Sequence, residues 1–108
     1  MRLNEKMIMK QMQLFKPGGL DKLHLVEIDT PRIRDNEILV KVAASSLNYH
    51  DLLVALGSIP TEDKRVLLGD ASGEVVEIGD SVSKWHVGDQ IMSVCFTKWV
   101  EGRPKKEY

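Results

Sequence analysis

Apolar positions in this chain fall in short clusters separated by glycine, proline and charged residues, and the period of the clusters changes once. From Glu37 to Ser46 the pattern alternates, with Ile38, Val40, Val42 and Ala44 on one side and Leu39, Lys41, Ala43 and Ser45 on the other. That two-residue period predicts a half-buried strand. Met9 to Phe15 and Leu23 to Ile28 predict two earlier strands, separated by the turn signal Lys16-Pro17-Gly18-Gly19. Thr30-Pro31 ends the second, because the residue before proline is steered to extended or turn geometry. After Leu47 the period lengthens. Asn48 stands as an N-cap, Asp51 as the acidic member of a capping box, and Gly57 as a left-handed C-cap glycine. Between them Leu52, Val54, Ala55 and Leu56 predict a helix of about two turns, too short to persist unless it packs on the strands.

The stretch from Arg65 to Val94 holds Gly69, Gly73, Gly79 and Gly88, half of the eight glycines in the chain. They punctuate β-branched runs, and three of them precede an aspartate: Gly69-Asp70, Gly79-Asp80 and Gly88-Asp89. Valine and isoleucine favour extended backbone, whereas glycine permits sharp turns and close backbone approach. Arg65 to Leu68, Val75 to Ile78 and Gln90 to Phe96 are the strands expected here, with turns at Gly79-Asp80-Ser81 and Gly88-Asp89. Short, sharply bent strands with one or two short helices predict a mainly β, barrel-like fold.

A length of 108 residues suits one domain, and 43% hydrophobic content suits a globular one. Residues 1–8 read as a lead-in and residues 9–108 as the domain. Fifteen basic and sixteen acidic residues are interspersed, for a net charge of −1, which offers no footprint for nucleic acid or an anionic membrane. Arg103, Lys105 and Lys106 form the one dense basic cluster and read as a solvated tail. Cys95 is the single cysteine, so no internal disulfide forms and a reducing, cytoplasmic setting is expected. The opening MRLNEKMIMK lacks the apolar core of a signal peptide, and no apolar run approaches the ~20 residues of a membrane span.

Candidate chemistry is sparse. His24, His50 and His86 have no i, i+4 partner and no C-x-x-C occurs, so no metal site is predicted; only His50, near Asp51 and Cys95, has suggestive neighbours. Cys95 falls within a predicted strand and reads as a small buried hydrophobe. Ser45-Ser46 ends a strand with no visible base, and Gly69-x-x-x-Gly73 is neither a dinucleotide fingerprint nor a P-loop. What is left is Asn48-Tyr49-His50-Asp51, where a strand runs into a helix and polar groups can reach a ligand amide, carbonyl or hydroxyl. The same residues also have purely architectural uses: Asn48 as cap, Asp51 as its partner, Tyr49 as packing.

The order LVKVAASSLNYHDLL, RVLLGDASGEVVEIGDSV and WHVGDQI resembles the N-terminal domain of medium-chain dehydrogenases/reductases, over roughly residues 9–104. It is most similar to the zinc-independent alcohol dehydrogenase-like and quinone oxidoreductase-like members. The resemblance implies a GroES-like distorted β-barrel. It also implies hydride transfer between NAD(P) and a small carbonyl, alcohol, quinone or activated alkene. In zinc-dependent members a cysteine occupies the position of Asn48, while the histidine and glutamate of a G-H-E motif fall on Gly69 and Asp70. Zinc-free chemistry is therefore expected.

By the same carry-over Asn48, Tyr49 and Asp51 lie beside the nicotinamide, with His50 and Tyr49 as weak candidates for proton handling. The Rossmann half of the family has no counterpart in these residues, so the chain is expected neither to bind NAD(P) tightly nor to turn over by itself. Apolar surface where that half docks could also drive homo-oligomers. The alternative is a stand-alone GroES-like binding or assembly module without catalytic activity.

Overall fold

The computed structural model describes residues 7–94 and 101–106. Strands β1 (Ile8–Leu14) and β2 (Leu23–Asp29) form an antiparallel hairpin, with Ile8 opposite Asp29 and Leu14 opposite Leu23. The expected Lys16-Pro17-Gly18-Gly19 turn joins them, followed by a 3₁₀ turn at Leu20–Lys22. Strand β3 (Ile38–Ala44) leads into helix α1 (Tyr49–Ala55), and the chain continues through β4 (Arg65–Val66), β5 (Ser72–Ile78) and β6 (Gln90–Met92). One sheet has the order β2-β1-β4 and the other β3-β5-β6, with every pairing antiparallel. The architecture is the mainly β one expected, two twisted sheets of a distorted barrel that do not close on each other among the described residues. The strand expected from Gln90 to Phe96 stops at Met92, and Cys95 and Phe96 lie outside the described residues.

The alternation that marked out β3 does not survive as a burial pattern. Ile38, Leu39 and Val40 are half-buried, while Lys41 to Ala44 are all exposed, Val42 by 60%. The β3–β5 register also carries two irregularities. Val76 is an extra residue between the Leu39–Glu77 and Val40–Val75 pairs, and Ala43 is an extra residue between Val42–Gly73 and Ala44–Ser72. The first bulge lies in β5 and leaves the period of β3 intact; the second interrupts β3 itself at Ala43, near its end. No layer covers this end of β3 among the described residues.

Two backbone contacts hold the pieces in place. Gly73 is buried in β5, where a Cβ would overlap the Lys41 carbonyl of β3. The helix end is the second. Gly57 (φ +82) closes α1 with a Schellman motif, its N–H donating to Val54 O at 3.0 Å and that of Ser58 to Leu53 O at 3.0 Å. Gly18 of the β1–β2 turn packs against this cap so closely that a Cβ on it would stand 2.7 Å from Gly57 Cα. Beside it, Gly19 N–H donates to Ala55 O at 2.8 Å, fastening the first sheet to the helix end.

Side-chain burial is modest. Among the described residues Leu14, Val54, Ala55 and Val75 are the buried apolar ones, and the radius of gyration is 15.8 Å, against about 13 Å for a close-packed chain of this length. An apolar groove of about 630 Å³ opens between β1 and the β3–β5 pair, lined in part by Met9, Leu39, Val40 and Val75. No helix among the described residues is long and apolar enough to cross a membrane. The glycine geometry predicts a contrast in unfolding by urea. Gly73→Ala should lose about 2 kcal/mol or more through overlap with β3. Gly69→Ala, with open space around the new methyl, should change stability by less than about 0.5 kcal/mol.

Candidate functional site

The chain between β3 and α1 is extended, with Asn48 at φ −112 and ψ 160, which suits an N-cap. Its backbone N–H donates to Asp51 Oδ2 at 2.8 Å, so Asp51 closes the helix start as the spacing predicted. The Asn48 side chain is also bonded to the segment entering β5. Its Nδ2 donates to Asp70 Oδ2 at 2.8 Å, and Ser46 Oγ donates to the same oxygen at 3.1 Å. Ser45 Oγ donates to the Asp70 backbone carbonyl. One half-buried aspartate thus gathers the whole segment that leaves β3. Bonds to a carboxylate at a partly exposed site are worth about 1 kcal/mol each, enough in combination to order an irregular segment.

A third segment completes the arrangement. Ser93 Oγ accepts from Ala71 N–H at 3.0 Å, and Ser93 N–H donates to Ala71 O at 2.8 Å, extending the β5–β6 pairing past Met92. The three segments enclose a cleft of about 360 Å³. Ser45, Ser46, Asp70, Ser72 and Ser93 supply its polar lining, and Ala44, Ala71 and Met92 its apolar surface. Among the described lining residues there is no lysine or arginine.

The four residues singled out in the sequence do not converge. Asn48 and Asp51 take part in the network just described. Tyr49 is 74% exposed, so it is not a packing residue. His50 lines a different, shallow pocket of about 500 Å³, together with Lys16, Glu62 and Arg65. His24 stacks edge-on against Phe15 at 4.8 Å, and His86 N–H donates to Asp89 Oδ2 at 2.9 Å in a turn. Among the described residues no three His, Cys, Asp or Glu side chains are grouped to hold a metal ion; Cys95 lies outside them.

The residues that organise the site are Asp70, Ser45, Ser46 and Ser93, none of which was a site candidate from the sequence. The available signal was the Gly69-Asp70 pair and its match to the acidic position of the G-H-E motif. Nothing in the local sequence of Ser45 or Ser46 names a partner 24 or 25 residues away.

Residues 34–107 match the family described as the alcohol dehydrogenase GroES-like domain. The chain belongs to that family. It is 36% identical over 103 residues to the human (Homo sapiens) synaptic vesicle membrane protein VAT-1 homolog-like, covering 93% of this chain and 25% of that protein. The crystal structure of human VAT-1 homolog-like protein superposes with a TM-score of 0.75 at 36% identity, over 86% of this chain and 31% of the other. Quinone oxidoreductase of Escherichia coli, solved in complex with NADPH, gives a TM-score of 0.66 at 30% identity, over 78% of this chain and 26% of the enzyme. The chain spans about a quarter of the length of the curated relatives it matches first.

The Asn48–Asp51 bond generates a direct expectation. Asp51→Ala should lower unfolding stability by about 1 kcal/mol and speed hydrogen exchange at the Asn48 amide, as read by NMR. Exchange in β1 and β2 should quicken by no more than the loss of global stability accounts for, about fivefold.

Proposed function

We propose that residues 9–108, after a lead-in of residues 1–8, are the GroES-like catalytic domain of a zinc-independent, NAD(P)-dependent oxidoreductase acting on a small carbonyl, alcohol, quinone or activated alkene. The observation that carries this reading is the cleft beside the Asn48–Asp70 bond, in a fold that superposes on a quinone oxidoreductase solved with NADPH. A nicotinamide ring bound in such a cleft supplies or accepts the hydride. The work left to this chain is placement. Asn48 and Asp51 fix the turn that opens the site, and Ser45, Ser46 and Asp70 give it a rigid polar wall.

Tyr49 joins Asn48 and Asp51 as a cofactor-side residue, presenting an exposed ring and phenolic oxygen. Tyr49 Oη and the His50 imidazole are the candidates for moving a proton, and His50 does so only for a substrate that extends to its separate pocket. The zinc-independent part of the proposal rests on residue chemistry. Asn48 offers a neutral amide, already bonded to Asp70, where the resemblance puts a thiolate, and Gly69 has no side chain to ligate. The single cysteine supports a cytoplasmic setting.

Among the described residues the cleft lining carries no lysine or arginine, and the pyrophosphate is assigned to a second, Rossmann-type half. Calorimetric titration of the 108-residue chain with NADPH should therefore show no micromolar binding; a micromolar dissociation constant would refute this division of labour. The activity is tested by a chimera in which this chain replaces the matching segment of the Escherichia coli quinone oxidoreductase. The folded chimera should consume NADPH with a quinone, and Asn48→Ala should lower kcat/KM by about tenfold or more. A folded but inactive chimera would favour the binding-module reading instead.

A further inference from the structure

Helix α1 divides the polar chemistry of this chain between two places. Asn48, at its start, belongs to the network around Asp70, whereas His50 and Val54, one turn apart on the same side of the helix, line the separate pocket of about 500 Å³. The other walls of that pocket come from two segments that the backbone fastens there. The N–H groups of Ser58 and Ile59 both donate to Leu53 O, at 3.0 and 3.3 Å, so the loop after Gly57 starts against the helix end. The far end of the loop is tied to the first sheet. Asp63 Oδ1 accepts from Lys16 N–H at 2.9 Å, and Arg65 of β4 stands opposite Leu14 of β1. Lys16 follows two residues after Leu14, which makes it the diagonal neighbour of Arg65 across the pair.

These connections bring two cations to one pocket without neutralising either. Among the described residues neither the Lys16 ammonium nor the Arg65 guanidinium takes part in an ion pair, and Asp63 bonds the Lys16 backbone, not its side chain. Glu62 is the one carboxylate among the described lining residues, so the lining keeps an excess of one positive charge. Val54, Ile59 and Pro60 supply apolar surface, and the His50 imidazole and Thr61 hydroxyl each have a proton to donate.

We propose that this pocket is a site for a carboxylate carried on a short apolar body. The carboxylate oxygens go to the Lys16 ammonium and the Arg65 guanidinium, and the body lies on Val54, Ile59 and Pro60. A single excess positive charge matches a monoanion. A phosphate monoester, with about two negative charges at neutral pH, is overmatched and stands against Glu62. An amide brings no charge for the cations, and an amine adds a third positive one. That the carboxylate belongs to the substrate of an oxidoreductase, which makes the substrate an organic acid, rests on the function proposed above; the selectivity for a carboxylate does not.

The test is a ¹H–¹⁵N NMR titration of the 108-residue chain at neutral pH and low ionic strength. The probes are butanoate, butanamide, butylamine and butyl phosphate, with sodium chloride at matched ionic strength as the control. Butanoate should shift the His50, Thr61 and Arg65 amides saturably, with a dissociation constant of roughly 1–10 mM. Butanamide and butylamine should bind about tenfold more weakly or not at all. Butyl phosphate should bind more weakly than butanoate, and Glu62→Gln should narrow or reverse that order. Lys16→Gln and Arg65→Gln should each weaken butanoate about threefold to tenfold while the Ser46 and Ser93 amides keep their positions, which shows that the fold is intact. Equal or tighter binding of the amide, the amine or the phosphate overturns the proposal. So do shifts reproduced by chloride, an absence of saturable shifts at these amides, or a folded glutamine variant at either cation that binds butanoate as well as the parent. Carboxylate-selective binding alongside an inactive quinone oxidoreductase chimera would refute the proposed activity and leave this site standing.

Discussion

Backbone lying directly on backbone is the constraint from which the rest of this structure follows. Gly73 has no Cβ, so β5 can lie against the Lys41 carbonyl of β3. The segment entering β5, Asp70 and Ala71, then arrives beside the segment leaving β3, Ser45 to Asn48. Gly18 and Gly57 do the same for the other sheet, bringing the β1–β2 turn onto the end of α1. With Leu14, Val54, Ala55 and Val75 as the buried apolar residues among those described, the fold has little side-chain interior with which to absorb an error at these contacts.

Asp70 converts that proximity into a defined site. One carboxylate oxygen collects Asn48 and Ser46, and the backbone carbonyl of the same residue collects Ser45. The helix cap and the site share Asn48: its backbone N–H serves α1 through Asp51 and its side-chain amide serves Asp70. Fold and site are thus coupled at a single residue. The cap holds the Asn48 amide where Asp70 can reach it.

The open form of the two sheets belongs in the same picture. A radius of gyration of 15.8 Å, an apolar groove between the sheets, and Val42, Leu47 and Met92 exposed by 60%, 84% and 77% describe a surface that carries much apolar area. The relatives this chain matches are about four times as long, since it covers 25% or 26% of those found first. Among the described residues the cleft is lined by serines, Asp70, two alanines and Met92.

Local chemistry in the sequence was enough for the elements whose signals lie within a few residues of one another. Pro17-Gly18-Gly19 marked the hairpin turn, Asn48 and Asp51 the start of α1, and Gly57 its end, because caps and turns are bonds between near neighbours. The strands β1 and β2 were legible as apolar stretches either side of a strong turn signal, and β5 as a β-branched run bounded by glycines. Three things needed the tertiary structure. The bulges at Ala43 in β3 and Val76 in β5 arise only when the two strands pair. The separation of His50 from Asn48 depends on which side of α1 faces the loop from Ile59 to Glu62. The bonds from Ser45, Ser46 and Asn48 to Asp70 span 22 to 25 residues. A hydroxyl or an amide gives no sign in the sequence of the distant acceptor it will find; that partner is chosen when Gly73 lets two strands touch.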